Sequence, residues 1–338
     1  MSYRKELDSA SRDDPPGGEG PLFVVGDVHG CALELKLLLE QLPLTADSTI
    51  VFVGDYIDRG PSSREVIDTL LDLRRRHSVI PLLGNHEAML SDFLESPHSL
   101  GGGMFVYNGG SSTLASYADQ LGEYRIPEEH LAFFRELRLF YQTLEYFFVH
   151  AGVPEIPLEE LDPEERRDEL LWTRDMSESV FSWSKLIVHG HCQQAEPEIE
   201  ANHINIDTGC VYDGRLSAIE LHSREIFDVQ RQQREQPRYL RDIRSRRRAI
   251  RFEGSIPVQI DRPEIPLHFL TVNYSEIGMY LRSLSTYGTV DLQVGESVSG
   301  FIGVHGPWRV RFWGEVVRRD TSPDGAYYAV HIKASTGG

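Results

Sequence analysis

Two carboxylates, one amide and three imidazoles recur just beyond short apolar runs. The runs are PLFVVGDVHG (21–30), TIVFVGDYIDRG (49–60), VIPLLGNHE (79–87), EYFFVHAGV (145–153) and KLIVHGHC (185–192); the residues are Asp27, His29, Asp55, Asn85, His150 and His191. Hard oxygen mixed with borderline nitrogen suits manganese, iron or zinc better than calcium or magnesium alone. A shared carboxylate can bridge two such ions ~3.5–4 Å apart and hold an activated water over a phosphate for in-line attack. Arg59 and Arg174 offer fork-shaped donors for phosphate oxygens. His86 stands beside Asn85, placed to protonate a leaving alkoxide, and Asp58 can orient it. Any one motif alone reads as an ordinary loop. Five in order, each after an apolar run, read as a site.

The elements that position these groups are legible from periodicity. Between the early runs lie ALELKLLLEQL (32–42) and SREVIDTLLDLRRR (63–76), with apolar residues near i, i+3, i+4 spacing. Buried strands of four to six residues alternating with helices predict an α/β fold with covered sheets. In such sheets ligands sit beyond the carboxyl ends of the strands, where the polar groups fall here. Near Gln230 the pattern changes to a polar, charged stretch, QRQQREQPRYLRDIRSRRRAIR. After it come IPVQI, HFLTVNY, GMYLRS, VDLQV, WRVRFW, GEVVRR and AYYAVHIK, short alternating runs with no long amphipathic helix. A small closed β-barrel is the expected solution, because closure removes exposed edges. The organisation predicted is a loose tail over 1–20, a catalytic domain over 21–225, an arginine-rich linker over 226–245 and a barrel over 246–338. No internal repeat is visible.

GDVHG, GDYIDRG, GNHE, HAGV and GHC resemble the signature of the phosphoprotein phosphatase family, within the calcineurin-like metallophosphoesterases. The resemblance covers about residues 21–222. It implies an α/β sandwich of mixed sheets flanked by helices. It also implies Asp27 and His29 on one metal, Asp55 bridging, and Asn85, His150 and His191 on the other, with manganese the expected ion and iron or zinc the alternatives. Arg59 and Arg174 would hold the phosphate, and His86 would act as acid with Asp58 behind it. His191 is chosen over His189 because the family ligand follows Gly in GH. NGGSST (108–113) and INIDTGCVYDGRLSAIEL (204–221) are similar to bacterial members. Where many relatives carry Arg before GNHE this chain has Leu83, which removes a positive group near the site. The activity implied is phosphomonoester hydrolysis on phosphorylated protein. The alternative within the fold is a diadenosine tetraphosphate hydrolase, which shares the DTGCV region; Asp58, Arg59 and Glu87 favour the phosphomonoesterase.

The chain of 338 residues is 40% hydrophobic and 25% charged, ordinary globular values that argue against a disordered or fibrous chain. No apolar run approaches the ~18 residues of a membrane span, and the polar start has no signal-peptide core. Three scattered cysteines, Cys31, Cys192 and Cys210, argue against a disulfide framework and for a reducing cytoplasm. A net charge of −18 disfavours general nucleic-acid binding. Yet Arg231 to Arg251 holds nine arginines against Glu235 and Asp242. Arg247 and Arg251 stand four apart, and Asn273, Ser275 and Gly278 follow 22 residues on. Arginine forks can grip phosphates and guanine edges, and Asn and Ser beside Gly can read a base and cradle a phosphodiester. RxxxR, then NxSxxG, then a barrel resembles the PilZ domain over roughly 240–334. That resemblance implies cyclic di-GMP as ligand, with Arg246 an additional contact. A regulated cytoplasmic bacterial phosphatase is the expectation; a silent effector that docks a partner is the competing class.

Overall fold

The computed structural model describes residues 20–97, 99–119, 123–174, 176, 179–232, 252–253, 256–262, 266–275, 278–284, 292–303, 310–322 and 325–337. The chain divides into two compact units, Met1–Ala88 with Ser112–Glu235, and Met89–Ser111 with Gln236–Gly338.

The first unit opens with β1 (Leu22–Val25), α1 (Ala32–Gln41), β2 (Thr49–Phe52), α2 (Ser63–Arg74) and β3 (Ser78–Pro81). The strands β1, β2 and β3 pair in parallel, as strand–helix–strand crossovers require. Helix α3 (Asn85–Glu95) follows directly, then α4 (Leu100–Phe105), a π turn (Val106–Gly110) and α5 (Ser111–Ser116). Beyond α6 (Glu128–Arg135), the second sheet takes β4 (Phe140–Gln142) and β5 (Tyr146–Val149), then, after α7 (Arg167–Trp172), β6 (Leu186–His189), β7 (Glu198–Ile199) and β8 (His203–Asn205). Its order is β4-β5-β6-β8-β7. Strands β9 (Arg215–Glu220) and β10 (Glu225–Gln230) then return antiparallel to the first sheet, giving β10-β9-β1-β2-β3. The chain therefore stays in the catalytic sheet through Gln230, five residues beyond the predicted limit. EIFDVQ alternates too weakly to be seen as a strand, with only Val229 buried.

The core lies between these sheets. Val24, Val51, Val53 and Ile219 of the first meet Tyr146, Phe148, Val188 and Ile204 of the second. Strands buried on both faces explain the unbroken apolar runs. The α/β sandwich of mixed sheets expected from sequence is the architecture found.

The second unit holds β11 (Phe252–Glu253), β12 (Pro257–Ile260), β13 (Leu267–Ser275), β14 (Gly278–Ser283), β15 (Ser297–Ile302), β16 (Val310–Ser322) and β17 (Gly325–Gly337). The order β13-β12-β15-β16-β17-β14 closes through a β13–β14 pairing, so six antiparallel strands form the expected barrel, with β11 added at β13. Two details differ from the sequence reading. VRFW (310–313) and GEVVRR join in one strand, β16, which carries register shifts at Trp313/Gly314 and Val316/Arg318. VDLQV forms no strand over its described residues, and SVSGFI supplies β15 instead. There Gly300 permits the approach, because a Cβ would sit 2.0 Å from the Gln259 carbonyl oxygen.

Met89–Ser111 groups with the barrel, although its residues were expected to belong wholly to the catalytic domain. Within the second unit, Tyr107 stacks on Tyr274 with ring centroids 5.3 Å apart, and Tyr274 Oη donates to the Pro97 carbonyl at 3.3 Å.

Candidate metal and phosphate site

Every expected ligand of the first unit lies within a few residues of a strand's carboxyl end, in a short loop or at the start of a helix. Asp27 and His29 follow β1; Asp55, Asp58 and Arg59 follow β2. Asn85, His86 and Glu87 open α3 after β3, His150 follows β5, and His191 follows β6. His29, Asp55, Asp58, Arg59 and His191 have φ between 45° and 73°, a left-handed conformation that side chains with a Cβ rarely adopt. Such strain persists where surrounding structure enforces it. Two glycines allow the loops to close: a Cβ at Gly84 would lie 2.2 Å from Asp55 Oδ1, and one at Gly190 would lie 2.2 Å from Asp27 Oδ1.

Asp55 stands at the centre. Its Oδ2 lies 3.4 Å from His29 Nε2 and 3.9 Å from His86 Nε2, and its Oδ1 lies 3.4 Å from His150 Nε2. The ligand atoms of His29, Asp55 and His86 fall within 4.8 Å of one another, as do those of Asp55, His150 and His191. One carboxylate is common to both groups. Asp27 belongs to neither group; its oxygens accept the His191 backbone N–H at 3.2 and 3.3 Å.

Hydrogen bonding decides which imidazole nitrogen faces the site. His29 Nδ1 lies 2.8 Å from the Ile57 carbonyl and His150 Nδ1 lies 2.8 Å from the Val53 carbonyl. A carbonyl can only accept, so Nδ1 carries hydrogen and the neutral ring directs its Nε2 lone pair inward. His150 Nε2 then faces other acceptors: Asn85 Oδ1 at 2.9 Å, His191 Nδ1 at 3.2 Å and Asp55. Turning the Asn85 amide over would supply a donor to His150 Nε2, His191 Nδ1 and Asp55, but the imidazoles and carboxylates converge whichever way it lies. Burial, followed by the Arg59 charge, lowers His29 to about 3 and keeps its ring neutral. Burial and the neighbouring Asp207 and Asp55 carboxylates push Asp27 up. Converging lone pairs and mutually repelling carboxylates in a buried site fit a divalent cation pair.

A tightly hydrogen-bonded histidine–aspartate pair lies beside this set. His86 Nδ1 is 2.6 Å from Asp58 Oδ2, and His86 Nε2 is buried with no hydrogen-bond partner among the described residues. Burial pushes the Asp58 carboxyl up and the His86 imidazole down, driving both toward their neutral forms. Arg59 reaches the site with Nη1 2.5 Å from His29 Nε2 and its guanidinium 5.4 Å from the Tyr212 ring centroid. Arg174 is exposed at the rim, held below the usual arginine range by partial burial despite the opposing influence of Cys192, with Arg59 adding to the lowering.

Four residues contribute in ways their motifs alone do not show. Glu87 accepts the backbone N–H groups of Asp55, Gly84, Tyr56 and Ile57 at 2.8–3.2 Å, holding the loop after β2. Thr113 Oγ1 donates to Asp58 Oδ1 at 2.6 Å. Asp207, pushed up to about 6 chiefly by burial and then by Asp55, adds a third carboxylate, and Tyr212 packs on Arg59. Their signals were present in GNHE, NGGSST and IDTGCVY, but only as motif letters. His189 packs instead beside the His203 ring, 5.4 Å away. A further cluster, Cys31, Glu34 and Cys210, is buried, but Arg231 already pairs with Glu34 at 2.8 Å and hydrogen bonding to Cys31 holds the Cys210 thiol protonated.

Of the residues expected at cyclic di-GMP, Arg246, Arg247 and Arg251 lie outside the described residues. Asn273, Ser275 and Gly278 fall on the β13–β14 hairpin, with Asn273 opposite Tyr280 and Ser275 opposite Gly278. Ser275 is buried and its Oγ donates to the Gly278 carbonyl at 3.3 Å.

An α/β sandwich with acidic and imidazole groups converging at its strand ends defines a metal-dependent hydrolase architecture. Residues 20–243 match the family model of the calcineurin-like phosphoesterases, and the chain belongs to that family. A bis(5'-nucleosyl)-tetraphosphatase from Anoxybacillus flavithermus is 30% identical over 232 residues, 61% of this chain and 92% of that protein. Among solved structures, a putative diadenosine tetraphosphatase aligns with a TM-score of 0.49 and 23% identity, over 65% of this chain and 97% of its own. A serine/threonine phosphatase from Saccharomyces cerevisiae gives a TM-score of 0.43 at 17% identity, over 64% and 81%. No helix among the described residues is long and apolar enough to cross a membrane.

Proposed function

We propose that this phosphoesterase is a metal-dependent phosphomonoesterase acting on phosphorylated protein, with an output that follows cyclic di-GMP held at the barrel. The observation that carries the hydrolase reading is Asp55, one carboxylate common to two ligand groups. Asp27, His29 and Asp55 would hold one divalent ion, and Asp55, Asn85, His150 and His191 the other. When bound, such a pair polarises phosphate oxygens and lowers the pKa of water. Arg59 and Arg174 orient the phosphoryl group through their forked donors. His86 Nε2 delivers a proton to the leaving oxygen, while Asp58 keeps Nδ1 engaged so that Nε2 faces the substrate. The buried walls exclude bulk water and strengthen these interactions.

Regulation by cyclic di-GMP is supported by the closed barrel, the NxSxxG hairpin and the RxxxR sequence before it. A second reading, hydrolysis of a dinucleoside polyphosphate, is favoured by the name of the relative at 30% identity. Manganese-dependent hydrolysis of para-nitrophenyl phosphate, a phosphoserine peptide and diadenosine tetraphosphate, each across a cyclic di-GMP titration, separates these readings. Preference for the peptide with a saturable change in rate is expected. Preference for the dinucleotide would replace the substrate assignment, and no turnover with metal supplied would remove the enzyme.

A further inference from the structure

We propose that Thr113 is a positioning residue for the Asp58–His86 pair, and that the segment Met89–Ser111 links its placement to the barrel hairpin carrying Asn273 and Ser275. This rests on reading the site as a phosphoesterase centre with His86 as acid.

The local network is complete. Thr113 Oγ1 has one hydrogen, which it donates to Asp58 Oδ1 at 2.6 Å. Its lone pairs accept the Asp58 backbone N–H at 2.8 Å and the Ser63 hydroxyl at 2.9 Å. The other Asp58 oxygen holds His86 Nδ1. Every member is buried, so losing one partner leaves the rest unsatisfied rather than solvated.

Chain topology gives this network its reach. His86 lies just before Met89 and Thr113 just after Ser111, so one carboxylate bonds to both ends of the excursion. Inside the second unit the same segment is gripped by the barrel. Tyr274, between Asn273 and Ser275, stacks on Tyr107 and donates to Pro97. Gly103 lies against Ile256, with its ideal Cβ position 2.0 Å from Cδ1, so a larger residue would have to displace that side chain. The Tyr107 hydroxyl is buried without a hydrogen-bond partner among the described residues, a cost that the packing must offset. Between Tyr107 and Thr113 the helix is broken at Gly109, with φ 102°. The proposed link thus runs from a packed stack on one side of the Gly109 break to the Thr113–Asp58 hydrogen bond on the other.

The test is a double-mutant cycle in the full-length, manganese-loaded protein. Thr113→Val should reduce kcat toward the ~100-fold that a 1 Å misplacement costs, leave KM within about twofold, and recover in Thr113→Ser. The loss should be greater on a phosphoserine peptide than on para-nitrophenyl phosphate, whose leaving group needs little protonation. Tyr107→Leu should show the same leaving-group dependence, and the double variant should lose little beyond Thr113→Val alone. Losses that multiply independently, or that ignore the leaving group, would overturn the proposal. Should Tyr107→Leu not fold, Tyr274→Phe removes the bond to Pro97 while keeping the ring; a leaving-group-dependent loss of about two- to tenfold is expected, and an unchanged kcat would overturn the link. No nucleotide enters the cycle, so failure of cyclic di-GMP to bind the wild type would remove the regulatory reading and leave this result standing.

Discussion

His86 Nδ1 lies 2.6 Å from Asp58 Oδ2 in a pair that exposes no more than 1% of either side chain. At that distance and burial the imidazole cannot turn without breaking a hydrogen bond that water does not replace. The remaining nitrogen is thereby fixed toward Asp55. The rest of the site obeys the same logic, with each reactive atom aimed by a partner behind it.

Asp55→Asn should abolish hydrolysis and reduce metal affinity by at least about 100-fold, since even outer-shell losses cost 10–100-fold. Metal content after dialysis, measured beside turnover of para-nitrophenyl phosphate, checks this. Near-normal values in both would exclude the shared-carboxylate arrangement.

Glu87→Gln should destabilise the protein by several kcal/mol. Four backbone N–H groups point at the two carboxylate oxygens, and an amide would turn an NH2 toward two of them. Each buried group left unsatisfied costs about 1–3 kcal/mol. Urea denaturation of the metal-free protein measures the loss.

Arg247→Ala combined with Arg251→Ala should eliminate cyclic di-GMP binding by titration calorimetry while basal hydrolysis continues. Two lost forks, at ~1–3 kcal/mol each, amount to roughly 30-fold or more in affinity. Retained affinity would place the nucleotide elsewhere.

Glu220 gives a pH-dependent test of the sandwich. Burial raises its pKa, but hydrogen bonds from Ser223, Leu22 and His222 outweigh that and bring it down to about 2. Its folded pKa is below the unfolded ~4.3, so its contribution is present above that value and lost as pH falls toward 2. The urea midpoint of Glu220→Gln should therefore lie below wild type at pH 6 and converge with it as pH falls from about 5 to 2. A constant gap would assign the effect to packing alone.

The sequence by itself determined which residues converge and the kind of architecture that holds them. Asp27, His29, Asp55, Asn85, His150 and His191 were readable because each follows an apolar run, and a strand buried on both faces must place its next polar residue at the sheet edge. The barrel was readable from alternation, although weakly patterned SVSGFI and EIFDVQ were not, because their pairing depends on neighbours rather than on their own periodicity. Only the tertiary structure decided the roles of Glu87, Thr113, Asp207 and Tyr212. Each acts on a partner at least 32 residues distant, and a contact across that separation leaves no trace in local spacing. The same reason applies to Met89–Ser111: the sequence reading kept it in the catalytic domain, and tertiary contacts such as Tyr107 on Tyr274, Ile256 on Gly103 and Tyr274 on the Pro97 carbonyl accompany its grouping with the barrel.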